Sequence, residues 1–428
     1  MITVKQMSLD LELVYIRDVQ FGSETKVRDH VLYINREELL EVIRDKAFDS
    51  VEVELARPGE SVRIIPVKDA IEPRIKPDSG DFFPGLLGGF DGVGEGRTRV
   101  LKGCCVITTG QIVCFQEGLI DMTGPCEEYC IYSKMNNVVL VAEPVEGISP
   151  EHHEEAVRMA GIRMAHYLAK ASVDAEVDER KTYTLPPVPA EKKLPRLLYV
   201  NLVLAQGLLH DNYIYGSDCK KLQTMLMHPN EMMDGAIVSG NCVTACDKNT
   251  TYDHENNPVV EDMYARHGVD LEFMGVISSP ISTMLAEKER GVMAIVTLAR
   301  LLSADGLVVT EEGGGNPEAD LMLIAEKAEK AGIKVVMGLH ENAGDDGASE
   351  SLANTNPVAD AVMTAGNNNE FILLPPMDKV IGHLEAVDVL AGGVSNALRP
   401  DGSVNVRLAV IMDASSNLGI TRISATTY

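Results

Sequence analysis

Leu307-Val-Val-Thr310, Glu311-Glu-Gly-Gly-Gly-Asn-Pro-Glu318 and Lys334-Val-Val-Met337 follow one another as strand, turn into a helix, and strand. The two short valine-rich runs have the length and composition of buried strands. Asn316-Pro317-Glu318 is helix-opening punctuation, and Gly332 closes the segment. A strand, a helix and a second strand at this spacing build a parallel sheet. Toward the N-terminus, apolar runs at 198–204, 235–238 and 273–277 repeat the spacing. Residues 197–428 are therefore expected to form a Rossmann-like, mostly parallel α/β domain. Glycines 313–315 invite comparison with a phosphate loop, but Glu311, Glu312, Glu318 and Asp320 surround them with negative charge. They read as a tight strand-to-helix turn. Glu311 and Glu312, ending a strand, remain able to hold a substrate ammonium.

A second stretch carries the chemistry. Asp234-Gly-Ala-Ile-Val-Ser239 is a small apolar run, and Gly240-Asn-Cys-Val-Thr-Ala-Cys-Asp-Lys-Asn-Thr-Thr-Tyr-Asp-His-Glu-Asn-Asn-Pro258 follows it. A dense polar stretch directly after a buried strand is where an α/β sheet places its ligand. In Asn241-Cys242 the thiol can attack the preceding carbonyl and shift the acyl group from nitrogen to sulfur. β-Elimination and hydrolysis then leave a new chain that begins with a ketone, a pyruvoyl group. Such a group does covalent electrophilic work on amines without a dissociable cofactor. Most Asn-Cys pairs are inert, and buried cysteines behave as small hydrophobes, so residue type alone leaves both readings open. Cys242 and Cys246 are four apart, as are Cys126 and Cys130, but no Cys-x-x-Cys or regular Cys/His set accompanies them. No metal site is expected.

Residues 1–172 read as a mixed α+β domain. Leu9, Leu11 and Leu13 alternate with acids as in a half-buried strand, and Asn35 is placed to cap a helix over 36–44. Runs at 50–55 and 61–67 around Arg57-Pro-Gly-Glu60 predict a hairpin, and runs at 104–108 and 111–115 around Thr109-Gly110 predict another. Ser149-Pro150-Glu151 opens a helix reaching about residue 170. Residues 173–196, with prolines at 186, 187, 189 and 195, read as a linker between the domains.

Lys+Arg 38 against Asp+Glu 64 gives a net charge of −26. An acidic surface repels nucleic acid and anionic membranes, so neither is an expected partner. No apolar run has membrane-spanning length, the first residues lack a signal-peptide pattern, and eight cysteines in 428 residues do not suggest a disulfide scaffold. The expected compartment is the cytoplasm.

The stretch 234–258, with Gly207-Leu-Leu-His-Asp211 upstream, resembles the proprotein of the alpha and beta subunits of component B of glycine reductase. The sarcosine- and betaine-specific versions share the pattern. Shorter matches are Asp18-Val-Gln-Phe-Gly22, Pro58-Gly-Glu-Ser-Val-Arg63, Cys114-Phe-Gln-Glu-Gly118 and Asp345-Asp-Gly-Ala-Ser349. The resemblance implies cleavage between Asn241 and Cys242, giving fragments 1–241 and 242–428, with a pyruvoyl group formed from Cys242. It implies reductive deamination of glycine, or of its N-methylated forms sarcosine and betaine, through a Schiff base to the amine. The carboxymethyl group would pass to the small selenoprotein A, and a selenocysteine-containing subunit of component B would pair with the fragments. Betaine, fully substituted at nitrogen, cannot condense with a ketone.

Around that carbonyl, Asp247, Lys248 and His254 are candidate acid, base or orienting groups, and His210 and Glu311 candidate substrate-binding groups. Each has a plainer reading: Lys248 a surface charge, Asp247 a cap, His254 a core residue. Two alternatives stand beside this function, a D-proline reductase-type precursor and a non-catalytic amino-acid-binding module.

Overall fold

A computed structural model describes residues 6–207, 209, 211–240, 244–344, 352–421 and 424–426. The fold is mixed α/β, built from several small sheets and one sheet of seven strands.

In the N-terminal part, the alternation of Leu9, Leu11 and Leu13 is realised in the strand Ser8–Tyr15, where all three are buried. Asn35 caps the helix Arg36–Ile43, its side chain accepting from the amides of Glu37 and Glu38. Ser149 caps Pro150–Ala169 in the same way, accepting from the His152 amide. Neither expected hairpin forms. Phe48–Ala56 pairs antiparallel with Asn136–Pro144, while Val62–Val67 joins Gly118–Asp121 and Lys379–Gly382. The turn between them is held from outside: the Arg57 guanidinium donates to the Val19 carbonyl (2.7 Å) and to Asp18 (2.9 Å). That anchor directs the chain into a second sheet. Cys104–Gly110 lies parallel to Asn136–Pro144 and antiparallel to Asp69–Ile71. The residues after Gly110 are no strand because Glu117 gathers the amides of Val113 (2.6 Å) and Cys114 (3.0 Å) into a loop.

Two segments cross the sequence divisions. Glu179–Thr184, within 173–196, pairs antiparallel with Ser8–Tyr15. Lys379–Gly382 runs parallel to Val62–Val67, and the Met412 amide donates to the Leu119 carbonyl (3.2 Å). One core therefore joins Ile64, Ile107 and Leu119 to Ala245, Leu374, Ile381 and Val410.

The seven-stranded sheet has the order Met225–Met227, Glu272–Ile281, Arg196–Leu204, Gly306–Glu311, Lys334–Glu341, Val362–Asn367 and Ser424–Thr426. The inner five are parallel and the two edges antiparallel. Leu198, Val200 and Leu202 face a core with Ile295 and Leu321 of the helices Leu285–Leu301 and Asn316–Lys330. Tyr199 and Val203 face a different core with Met232 and Phe273. Burial on both faces is why these runs are continuously apolar.

The run 235–238 does not join this sheet. Ile237–Ser239 pairs antiparallel with Asn212–Ile214 in a sheet of three. The only α-helix between those two strands, Pro229–Met233, has five residues, too few for a parallel crossover. The first strand of the large sheet, Arg196–Leu204, sits inside it with Glu272–Ile281 on one side and Gly306–Glu311 on the other. The carboxyl ends of Arg196–Leu204 and Gly306–Glu311 therefore lie side by side at the point where the strand order reverses, the usual place for a ligand crevice. Among the described residues no helix is long and apolar enough to cross a membrane.

Candidate active site

Ile237–Ser239 delivers the chain to this crevice. The Ser239 amide donates to Thr251 Oγ1 (3.0 Å), and the Gly240 amide donates to the Asp211 carbonyl (2.6 Å). Asn241 and Cys242 follow; they and His210 lie outside the described residues. From Thr244 the chain turns, the Asp247 amide donating to the Thr244 carbonyl (3.2 Å), and Thr250 then caps the short helix Thr251–Glu255. Thr250 Oγ1 accepts from the Asp253 amide (3.2 Å), and Asp253 accepts in return from the Thr250 amide (2.8 Å).

Every residue from 245 to 255 is buried, including Asp247, Lys248, Asn249, Asp253, His254 and Glu255. A surface-charge reading of Lys248, 2% exposed, is thereby overturned. Burying so many polar groups is costly unless each is matched, and the matching shows how the site is built. The Lys248 ammonium donates to the Gly240 carbonyl. Asp69, whose carboxyl feels the Lys248 charge, accepts from the Thr251 amide (3.0 Å) and hydroxyl (2.6 Å). Burial pushes the Asp69 carboxyl up, and Lys248 is the strongest influence pulling it back.

Asp247 faces His340, Oδ2 to Nε2 3.1 Å, and His340 Nδ1 meets Asn417 Oδ1 at 3.2 Å. Burial pushes Asp247 up to about 6, against the pull of His340 and with a further push from Glu312. His254 faces Glu312, Nε2 to Oε1 3.4 Å, and the other Glu312 oxygen accepts from the Leu204 amide (2.7 Å) and Asn212 (2.5 Å). Glu311 is fully buried, and neither carboxylate oxygen has a hydrogen-bond partner among the described residues. Burial holds its carboxyl well above the usual range, with Glu318, Asp247 and Asp320 adding to the effect and Lys288 opposing it. Asp211 accepts from the Gly207 amide (2.7 Å) and is pushed up to about 6 by burial.

The glycine turn after Glu312 serves this cluster. A Cβ on Gly314 would lie 2.3 Å from His340 Nε2 and 2.7 Å from Asn342 Nδ2. The turn is thus the surface against which His340 is seated. Helix Asn316–Lys330 takes its cap from Gly315, whose amide donates to Glu318 (3.2 Å), not from Asn316.

The structure thus gathers Asp247, Lys248, His254 and Glu311 around the strand end leading to Asn241. Glu312, the other acid read at that strand end, joins them, as do Asp69, His340 and Asn417, which the sequence alone did not single out. His340 had a usable signal, since like Glu311 it stands at the carboxyl end of a parallel strand. Asp69 had none, being 179 positions from Lys248. Among the described residues no group of three or more His, Cys, Asp or Glu is arranged to hold a metal ion.

The family described as glycine/sarcosine/betaine reductase component B subunits matches residues 7–426. The glycine reductase complex component B subunits alpha and beta of Acetoanaerobium sticklandii are 48% identical, over 99% of this chain and 100% of that protein. The sarcosine reductase complex component B subunit alpha of Peptoclostridium acidaminophilum is 47% identical over the same shares. The D-proline reductase proprotein PrdA of A. sticklandii is 25% identical, over 75% of this chain and 53% of that protein. No solved structure matches the chain.

Proposed function

Because the chain belongs to the family of glycine/sarcosine/betaine reductase component B subunits, we propose that it is the precursor of the pyruvoyl-bearing, substrate-binding subunits of such a reductase. It is cut between Asn241 and Cys242. Its substrate is glycine or an N-methylated form of glycine, and the carboxymethyl group passes to selenoprotein A. A selenocysteine-containing subunit is its companion, and the cytoplasm its compartment. The D-proline reading is set aside on the distance of that relative.

One observation carries the proposal: a fully buried polar cluster closes on the residue just before Asn241-Cys242. His254 Nδ1, Asp247 Oδ1 and both amide atoms of Asn249 have no hydrogen-bond partner among the described residues. Unsatisfied buried groups of this kind are rare, and a small keto group with its amine substrate fits them. A pyruvoyl group at residue 242 supplies an electron-withdrawing ketone that binds amines covalently. Lys248 fixes the Gly240 carbonyl and hence the strand leading to that position. Asp247, poised near 6 against His340, holds or gives up a proton at Oδ1. His254, oriented by Glu312, presents Nδ1. Burial of the whole segment excludes bulk water.

The Rossmann-like reading of the large sheet is supported by its five parallel strands and the central place of Arg196–Leu204. We retain two units, 1–172 and 197–428 joined by 173–196, with Lys379–Gly382 of the second seated in a sheet of the first. The intact mass of the purified protein tests the cut: two fragments are expected, the downstream one blocked to Edman sequencing until its ketone is reductively aminated. A full-length chain, or a free Cys242 at the new end, counts against the proposal. Ammonia or methylamine release with each amine in turn, in the assembled complex, identifies the substrate.

Glu311 gives a pH prediction. Alone it keeps its proton, since burial and three neighbouring acids disfavour its charge. A substrate ammonium beside it favours the carboxylate. Binding therefore expels a proton, and affinity rises with pH until Glu311 ionises unaided. Calorimetric titrations of glycine in buffers of different ionisation enthalpy measure that proton. Glu311→Gln should remove this component; proton release equal to wild type would assign the ammonium elsewhere.

A further inference from the structure

Asn417 reaches the site on a segment that is neither helix nor strand. The Asp413 amide donates to the Ala245 carbonyl (3.2 Å) and the Ser415 amide to the Cys246 carbonyl (2.9 Å), so residues 413–417 are tied to the turn that presents Asp247. The Asn417 carbonyl lies against Gly338, where a Cβ would come within 2.8 Å of it. Gly338 and His340 belong to one strand, Lys334–Glu341. Backbone contacts on both sides therefore fix where the Asn417 side chain sits.

That side chain can be oriented in one way only. Its Nδ2 donates to the Glu311 carbonyl, and a carbonyl only accepts. Oδ1 is then the atom that meets His340 Nδ1 at 3.2 Å, and an amide oxygen likewise only accepts. Nδ1 must therefore carry a proton whether the ring is neutral or charged. The ring cannot be turned over, because both nitrogens already meet polar atoms. Asn417 stands at Nδ1, and Asp247 Oδ2 (3.1 Å) and Asn342 Nδ2 (3.3 Å) stand at Nε2. The hydrogen bond at one ring nitrogen decides the state of the other. Here Nε2 is the nitrogen left to exchange its proton. Asp247, His340 and Asn417 are all buried, so no bulk water substitutes for these partners.

We propose that Asn417 is a positioning residue that locks His340 with its fixed proton at Nδ1, so that Asp247 and His340 share one exchangeable proton between Oδ2 and Nε2. This rests on the reading above, in which Asp247 holds or gives up a proton at Oδ1. Oδ1 is buried and has no hydrogen-bond partner among the described residues, which makes it the open end of the pair. A proton taken up at Oδ1 is matched by breaking the Oδ2–H bond and forming the Nε2–H bond, and the ring then carries two protons. The reverse transfer returns it. With Nδ1 bare, Nε2 would hold the ring's own proton and Oδ2 could pass none on. The other titratable groups bearing on Asp247 are Glu312, Glu311 and Cys246, all acids, and burial already holds Asp247 near 6. Lys248 turns to the Gly240 carbonyl, His254 to Glu312 and Asp413 to Asp253. His340 is thus the base left to the pair.

The test reads the ring directly. The protein is labelled with nitrogen-15 at its ten histidines, and the His340 signals are identified by their loss in His340→Gln. Nδ1 is expected to carry a proton from about pH 5 to about pH 9, with every change of protonation falling on Nε2. A bare Nδ1 anywhere in that range overturns the proposal. In the assembled reductase, Asn417→Asp sets a carboxylate against Nδ1, and an opposite charge favours the protonated ring. The pH at which the pair loses its proton should then rise by about one unit in the kcat profile. A merely structural Asn417 would lower kcat and leave that pH unmoved. An unmoved pH in folded Asn417→Asp overturns the proposal, and the nitrogen spectra decide alone if the variant does not fold. A protonated Nδ1 together with wild-type activity that shows no such pH dependence overturns instead the reading of Asp247 as the group that handles the proton.

Discussion

Cys242→Ala is expected to persist as a single uncut chain, while Cys246→Ala is cut as in wild type. Alanine brings no nucleophile to the Asn241 carbonyl, so the amide there survives indefinitely on the time scale of expression. Cys246 cannot take over. Its thiol is buried in the core that also holds Ala245 and Met412, and burial, with Asp247 beside it, pushes the thiol well up. A thiol held protonated is a poor nucleophile. Its carbonyl is tied to the Ser415 amide (2.9 Å), which fixes the turn in place. Intact mass distinguishes all outcomes. Cleavage at residue 241 in Cys242→Ala would remove the cysteine from the chemistry, and an uncut Cys246→Ala would make the second thiol a participant.

Lys248→Met should cost about 1–3 kcal/mol of stability, because the buried Gly240 carbonyl loses its donor and is left unsatisfied. Asp69, whose bonds from Thr251 are already made, also loses the charge that pulls its carboxyl down. The measurement belongs in the uncut Cys242→Ala background, where unfolding does not separate two chains and denaturant midpoints are comparable. Asp69→Asn added to Lys248→Met should recover part of the loss, since it deletes the stranded charge. A Lys248→Met penalty below about 1 kcal/mol would mean that the ammonium does not hold the Gly240 carbonyl.

Most of the large sheet was legible because its strands are buried on both faces, and a continuous apolar run such as 198–204 needs no partner to be recognised. Caps were legible for the same local reason: Asn35 and Ser149 bond to amides two or three positions away. Pairing was not. The turn at Arg57–Glu60 has hairpin chemistry, yet its direction is set by Val19 and Asp18, and its second strand finds Lys379–Gly382 more than 300 positions on. The run 235–238 had the composition of a parallel strand, but no helix long enough to carry it across. At the site, the polar residues after Gly240 announced themselves by density. Their counterparts, Asp69, His340 and Asn417, stand singly in ordinary surroundings and acquire meaning only from what folds against them.

The pairing of Lys379–Gly382 with Val62–Val67 also bears on how the finished protein comes into being. Arg196–Leu204 lies upstream of the Asn241–Cys242 bond and its hydrogen-bonded neighbours, Glu272–Ile281 and Gly306–Glu311, lie downstream of it. If that bond is cut as proposed, the two resulting polypeptides are already each other's interior. Their shared strands are then satisfied from the start, and the numbers of the two fragments would be equal. Synthesis as one chain would thus fix a one-to-one ratio without any recognition step. The fragments should elute together through every native column and come apart only where the fold itself does.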